Sequence, residues 1–443
     1  GPSADAQSLF TERGFSLTRE SFSPLPYEHV DPLTGNLLLT FTDLVLPGAA
    51  GLDLVIQRSY NSKIYQGYPN GLSVVSEDSW AGVGWSLHFG RLWGQGTDYP
   101  SFEMPDGSRH QFYRKLSGVS SQFISRDFWE YDSATGKVRL PNGIVHTLGA
   151  IGNLSAGQAH LVTRTEDPFG NRIDVSYPTP VGEAIQSVTQ TLGAQTRTVT
   201  FQRNGTTGAL TSMTYNSGER TRTWIYTQVA LSGQPTFTLL TAVQPPEGSP
   251  WTFLYTSADP KHMLRKITTP NGGTIDYTYQ EFQSRLGSVA DVRFLGVRTR
   301  ITGGRAVVPG TWTFSYAQPV GGARNETYID EPGGRRLIER FKGVGSSNFS
   351  GVPSWQIGLP EFREVKVGST SAKAETLVWR TPAFAERISD ASEALGVPNS
   401  PIYLQLIDSR TISVGSSSFR TEYAYHATSF NDYGRPYQVA ERQ

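Results

Sequence analysis

Two groups of carboxylates lie close enough along the chain to share a site. Glu326, Asp330 and Glu331 precede the Gly333-Gly334 break, and Glu361 and Glu364 follow further on. Glycoside hydrolysis needs two facing carboxylates about 5–9 Å apart, so a polysaccharide hydrolase or lyase would place its catalytic pair at Glu326–Glu331. The competing reading is structural: Asp330, like Asp167, precedes turn residues, where a carboxylate accepts backbone N–H bonds. Glu12, Glu20 and Glu28 are isolated. A second constellation is aromatic. Trp80, Trp85 and Trp93 punctuate a short Gly-rich stretch, and Trp355 stands alone in a less regular region. Indole rings stack on the apolar faces of sugars and add an N–H donor, which makes Trp80, Trp93 and Trp355 candidate ligand-binding residues. Trp85, between Gly82-Val83-Gly84 and the next strand, reads as a core filler whose glycines let backbones approach closely.

Other chemistries find little support. The histidines His29, His88, His110, His146, His160, His262 and His426 form no HExxH and no pair at ligand spacing. The sequence has no GxSxG elbow, no phosphate-binding GxxxxGK[ST] loop and no EF-hand loop. It has no cysteine, which rules out disulfides, thiolate metal sites and a cysteine nucleophile. Arg335, Arg336 and Arg340 are the densest basic cluster, and Glu339 within it favours a solvated strand face over a phosphate site. No catalytic residue, metal or cofactor is expected.

These residues must be positioned by strands. Four segments of 17 residues repeat one plan: Leu161–Tyr177, Leu210–Tyr226, Leu239–Tyr255 and Met263–Tyr279. Each has a strand-like run, a Gly-centred turn (DPFGN, NSGE, PPEG, PNGG) and a second strand ending in Tyr. Pro presets φ and Gly supplies positive φ in such turns. Bulky residues alternate after each turn, as in Trp251, Phe253 and Tyr255, so one face of each second strand is packed. A single hairpin is marginal in water, so hairpins must pair edge to edge into an array.

The composition agrees, with 46 Gly, 27 Pro and 12% aromatic residues among 443. The expected fold class is all-β: a long antiparallel sheet of hairpin repeats, winding into a spiral or partial shell, with at most one or two short helices. The best helix candidate is Pro382–Gly396, where Phe384, Ile388 and Leu395 fall on one face between Pro and Gly boundary signals. Thirty-nine basic residues balance 39 acidic ones, which argues against nucleic-acid binding. No apolar run is long enough to span a membrane as a helix.

The chain divides into residues 1–26, an extended lead-in whose Gly1-Pro2-Ser3 reads as a protease-cleavage scar; 27–150, an N-terminal β region; 151–280, the regular hairpins; and 281–443, an irregular β continuation. Hairpin signals also occur at Asp106-Gly107 and Asn142-Gly143. The end at Gln443 reads as a truncation within a longer protein, with any signal peptide already removed.

Five blocks carry a resemblance: Asp31-Pro-Leu-Thr-Gly-Asn-Leu, Arg58-Ser-Tyr-Asn-Ser, Gly82-Val-Gly-Trp-Ser-Leu, Pro105-Asp-Gly-Ser-Arg and Asp167-Pro-Phe-Gly-Asn-Arg. In this order and spacing they resemble the N-terminal part of RHS/YD-repeat proteins, and Asn431-Asp-Tyr-Gly-Arg-Pro is similar to a YD repeat. The resemblance covers about 27–280 and 423–443, whereas the repeat degenerates between 281 and 422. It implies a sheet wound into a hollow shell that encloses a C-terminal toxin or effector, as in bacterial polymorphic and insecticidal toxins. The self-cleavage region of that family lies beyond this chain, so no protease residues carry over.

Three functions follow as expectations. The first is a non-enzymatic structural shell fragment of a secreted or surface bacterial protein, whose partner is its own C-terminal cargo. The second is a module binding carbohydrate or a cell-surface polymer. The third is a polysaccharide-active enzyme. Specific function is expected where the repeat breaks, in 281–422.

Overall fold

The computed structural model describes residues 14–16, 18–66, 73–74, 80–97, 99–115, 121–125, 127–154, 157–178, 182–231, 234–258, 261–285, 291–316, 326–343, 356–380, 386–389, 401–402, 406–425 and 438–442. The chain is all-β and antiparallel, as the sequence predicts. A 3-10 turn at Ala49–Gly51 is the one helical element that lies wholly within the described residues. The helix expected over Pro382–Gly396 is corrected in part: Glu386–Ser389 is a strand, paired with Arg114–Lys115 and with Pro401–Ile402. Pairing with two neighbours satisfies its backbone groups outside a helix. The flanking positions of that segment lie outside the described residues.

Three structures follow one another along the chain. The first is an N-terminal sheet, a meander of Phe22–Leu25, Glu28–Val30, Leu37–Leu46, Leu54–Asn61 and Trp85–Ser86. The second is a closed ring of Arg91–Trp93, Ser101–Glu103, Arg109–Lys115, Gln122–Ser125, Glu130–Asp132, Lys137–Arg139, Val145–Leu154 and Gly157–Glu166. The last of these strands returns to the first through Ala159↔Trp93, His160↔Leu92 and Leu161↔Arg91. Closure leaves the ring no free edge. Its interior is filled by Leu92, Phe102, Phe112, Phe123, Tyr131, Val138 and Val162, each from a different strand, with Leu148 against them.

The third structure is a wall. It leaves the ring through the far end of the Gly157–Glu166 strand, where Arg164–Glu166 pair with Arg172–Asp174. From Arg172–Ser176 to Thr370–Trp379 each strand pairs with the next. Ile407–Val414, Ser417–Ala424 and Gln438–Arg442 then extend the sheet. The four sequence repeats are hairpins of this wall, and their turn glycines Gly170, Gly218, Gly248 and Gly272 all adopt positive φ.

The alternating bulky residues of the wall have a common destination. Val175, Val188, Phe201, Met213, Trp224, Phe253, Ile267, Ile275 and Phe314 form one buried cluster with Leu39, Phe41, Leu54, Ile56, Tyr60 and Trp85 of the N-terminal sheet. That sheet therefore covers the inner face of the wall. Backbone contacts fix the seat: Val297 N–H donates to Gly35 O at 3.0 Å, Val83 N–H to Thr238 O at 2.7 Å and Leu210 N–H to Trp80 O at 2.7 Å. Gly35 has φ +63°, and a Cβ there would lie 2.6 Å from Gly296 Cα, so the two backbones meet where a side chain has no room.

The terminal tyrosine of the repeats also has a physical role. Tyr177, Tyr255 and Tyr279 each donate a hydrogen bond to the carbonyl 15 residues earlier, on Val162, Leu240 and Leu264. The bond closes the hairpin near its open end and satisfies a hydroxyl buried in an apolar layer. The same closure recurs past residue 280 at longer spacing. Tyr316 donates to Val297 O and Trp379 to Pro360 O, both 19 residues back, and Tyr425 donates to Ile407 O, 18 back. Tyr226 departs from the pattern: its hydroxyl donates to Asp43 of the covering sheet at 2.9 Å.

Candidate functional site

A cleft of about 480 Å³ opens where the lead-in Glu20–Pro24 meets the wall. Its walls come from the strands Gly310–Ser315, Arg335–Phe341, Pro360–Val367 and Thr370–Trp379. Strand alternation decides which side chains face it. Leu337, Glu339 and Phe341 share one face, and Leu337 and Phe341 belong to the apolar layer described above. Register places Glu339 opposite Arg363 and Arg363 opposite Glu375. The inner face of the wall thus changes here from apolar to charged.

The charges form a row across four strands. Glu339 Oε1 lies 3.6 Å from Arg363 Nε; Arg363 donates to Glu20 of the lead-in at 2.5 Å; Glu375 lies 2.6 Å from Arg410. Glu339 is 4% exposed, and its Oε2 has no hydrogen-bond partner. Burial pushes its pKa up to about 7, against the opposing pull of Arg363. Glu331 and Arg335 form a looser pair at 3.6 Å on the rim, and Glu364 lies 3.4 Å from Lys366. Phe22, Pro24, Trp312, Leu337 and Val365 supply apolar surface.

The structure brings Glu331 and Glu364, from the two carboxylate groups, to this one cleft. Glu326 and Asp330 are engaged elsewhere. Glu326 pairs with Arg340 at 2.5 Å and Asp330 with Arg336 at 2.5 Å, as cross-strand neighbours. The acidic group and the basic cluster read from the sequence therefore neutralise each other across one hairpin. Glu339 and Arg363 were not singled out as a pair by sequence reasoning. The available signal was a Glu inside an alternating Leu-x-Glu-x-Phe strand, a charge at a core-facing position.

The indoles are dispersed. Trp80 is 3% exposed; it packs edge-on against Phe201 and donates to Leu87 O, so its ring has no face open to a sugar. Gly-rich turns bring it into the core because the segment around it seats the N-terminal sheet on the wall. Trp85 is wholly buried and donates to Tyr255 Oη at 2.8 Å. Trp93 is half-buried on the ring; its N–H donates to Glu103 at 2.6 Å, and Arg91 and Arg109 lie within 5.0 and 5.5 Å of its ring centre. Trp355 lies outside the described residues.

Buried histidines concentrate in the ring. His88 lies 3.8 Å from Glu103, whose carboxylate is held well below its usual range by Arg91, Arg109 and His88 acting against burial. His110 pairs with Asp127 at 2.6 Å and stacks on Trp129. Ser125 Oγ donates to the same Asp127. The carboxylate thus sits between hydroxyl and imidazole, an order that does not activate a serine nucleophile, and Ser125 is buried. Among the described residues no three metal-ligating side chains converge, and no helix is long and apolar enough to cross a membrane.

Comparison with known proteins gives three findings. The family DUF6531, a domain of unknown function, matches residues 27–112, which run from the second strand of the N-terminal sheet into the third ring strand. No curated protein matches the sequence. Among solved structures, the chain is similar to one from the crystal structure of TcdB2-TccC3-TEV, at 9% identity and a TM-score of 0.32, over 88% of this chain and 21% of that one. It is also similar to a chain of the Photorhabdus luminescens Tc holotoxin pore carrying a TccC3 mutation, at 10% identity and a TM-score of 0.29, over 97% and 24%. A third match, TcdB2-TccC3-Cdc42, has 9% identity and a TM-score of 0.21, over 94% and 29%. The chain spans under a third of the length of each of these.

Proposed function

We propose that the chain is a non-enzymatic structural part of an RHS/YD-type β-shell from a secreted or surface bacterial protein, and that the whole protein encloses a C-terminal cargo. One observation carries this reading: the wall and the N-terminal sheet share a single core, so the hairpin array is built as a lined wall and not as a row of independent modules. The repeated hairpin closures support it further, because each strand pair is fastened to itself and can be added without remaking the last. The inner face between about 173 and 341 is already covered by the chain's own N-terminal sheet. Cargo contacts are therefore assigned to the inner face beyond that cover, on the strands from 360 onward.

Carbohydrate binding and polysaccharide chemistry are the weaker readings. Trp80 is a core residue, the Trp93 N–H is occupied, and the carboxylates Glu326 and Asp330 are bound to arginines. The test uses the full-length gene product, imaged by electron cryomicroscopy and digested with protease. Enclosed density, with a downstream segment that resists cleavage until the wall is denatured, is the expected result. A downstream segment cut as fast in the native protein as in isolation would overturn the reading.

A further inference from the structure

The inner face of the wall is mainly apolar where the N-terminal sheet covers it, with Arg300 there paired to Glu28 of the cover, and it becomes a row of charges at the Glu20–Pro24 lead-in. The charges there are unequal. Glu20, Glu331, Glu339, Glu364 and Glu375 line the cleft, against Arg335, Arg363 and Lys373. Most of these groups have a partner: Glu20 has Arg363, Glu331 has Arg335, Glu364 has Lys366 and Glu375 has Arg410. Glu339 shares Arg363 with Glu20, its Oε1 lying 3.6 Å from Arg363 Nε; it is the most deeply buried of the lining glutamates, and its Oε2 has no hydrogen-bond partner. An unpartnered carboxylate oxygen at the base of a cleft lacks a donor, and leaving such a group unpaired is costly.

We propose that this cleft binds a ligand whose cationic nitrogen is carried on an apolar stem, an alkylammonium such as a lysine side chain or a free alkylamine, with the Glu339 carboxylate receiving the cation.

The apolar surface of Phe22, Pro24, Trp312, Leu337 and Val365 would take the stem. A bare metal ion fits poorly, because no three ligating side chains converge among the described residues. An anion would meet five lining glutamates, with Arg335 and Arg363 already engaged by carboxylates and Lys373 as the further lining cation. The volume of about 480 Å³ is that of a small-ligand site. The charges that face Glu339 are Arg363 and Arg19, which favour its ionised form, and Glu20 and Asp31, which oppose it; with burial they set its pKa at about 7. An arriving cation would stabilise the carboxylate, so binding at neutral pH should release a proton. This inference goes beyond the structural role proposed above and does not depend on it.

Isothermal titration of the intact chain with hexylammonium, and separately with a blocked lysine tripeptide, tests it, with hexanol and hexanoate as controls. Running each titration in two buffers of different ionisation heat measures the proton released. At least one cation should bind saturably with Kd below about 10 mM, releasing protons near pH 7, while the controls do not bind. Tighter binding of the tripeptide would identify a polypeptide ligand, and tighter binding of hexylammonium a free amine; either supports the site. Glu339→Gln should weaken binding at least tenfold and abolish the proton release. Should that variant fail to fold, Glu20→Gln decides: its site is exposed, and freeing Arg363 to neutralise Glu339 should weaken the cation similarly. No binding by either cation, equal binding by the controls, or binding unchanged in a folded Glu339→Gln or, failing that, in Glu20→Gln would overturn the proposal.

Discussion

Glu28 and Arg300, 272 residues apart, form a bidentate ion pair at 2.6 and 2.8 Å between the N-terminal sheet and the wall, with both side chains almost wholly buried. Glu28 also accepts from Tyr277 Oη at 2.8 Å, and Arg300 lies 4.4 Å over the Trp312 ring. The pair joins cover to wall directly. A second buried pair lies within the cover: Asp43 holds Arg58 at 2.9 Å and accepts from Tyr226 of the wall, while Phe41, Trp85 and Phe253 surround the guanidinium. Such pairs offset their own desolvation only with full hydrogen bonding. Their contribution is therefore more to the seating of the sheet than to net stability.

Glu28→Ala should lower stability by about 3–5 kcal/mol, because it strands Arg300 as an uncompensated buried charge. Replacing both residues, as Glu28→Met with Arg300→Leu, should recover much of that loss. Urea midpoints for the two single variants and the double variant check this. Simple addition of the single effects would show that the pair is not coupled.

The tyrosine closures are separable in the same way. Tyr279→Phe removes the donor to Leu264 O and should cost about 1–3 kcal/mol, since a buried carbonyl loses its partner. Tyr255→Phe should cost a similar amount, because its hydroxyl donates to Leu240 O and accepts from Trp85 Nε1, as that of Tyr279 also bonds the Tyr60 hydroxyl. Tyr425→Phe, at a half-buried site, should cost less. Equal and negligible losses at all three positions would show the bonds to be incidental.

These closures also mark how far the sequence could be read. The four 17-residue copies were legible because strand, turn and strand together keep one length, and in three of them the closing Tyr falls 15 residues after its carbonyl. Beyond residue 280 the strands lengthen, as in Gly273–Arg285 and Asp291–Gly304. The spacing then stretches from 15 to 18 or 19, and one closure uses Trp379 in place of Tyr, so a fixed-period search loses them. The ring was illegible for a different reason. Its strands at Arg91–Trp93, Ser101–Glu103, Glu130–Asp132 and Lys137–Arg139 are three residues long, too short for alternation to show, and its closure depends on a pairing between Leu92 and His160. The cleft was half legible: Glu331 and Glu364 stood out as clustered carboxylates, whereas Glu339 was masked by the arginines beside it.

Gly35→Ala should unseat the cover locally. The new Cβ would meet Gly296 Cα at 2.6 Å, and the residue must hold φ +63°, so strain and clash act together, on the order of 1–3 kcal/mol. The Val297 N–H to Gly35 O bond should open with it. Hydrogen exchange at Val297 should accelerate while exchange inside the ring is unchanged. Uniform acceleration across both regions would mean that sheet, wall and ring unfold only as one unit.

Two buried groups set opposite slopes of stability against pH. His146 stacks on Phe102, and its Nε2 has no partner; burial lowers its pKa from 6.5 to about 4. The folded state thus favours the neutral imidazole, a contribution fully present above pH 6.5 and lost as pH falls toward 4. Glu339 is the reverse. Its pKa is raised from 4.5 to about 7, so the folded state holds the proton more tightly than the unfolded one, and stability falls as pH rises from 4.5 to 7. Each shift corresponds to an upper bound on the order of 3 kcal/mol. Over the shared window the two largely cancel, so removing either should expose the other. Glu339→Gln should make stability rise more steeply with pH across that window, and His146→Gln should flatten or invert the rise. Urea midpoints taken at several pH values for the three proteins measure both slopes. A Glu339→Gln profile parallel to that of the unmutated chain would mean that the carboxyl titrates normally, and that the row of charges from Glu339 to Arg410 is open to water.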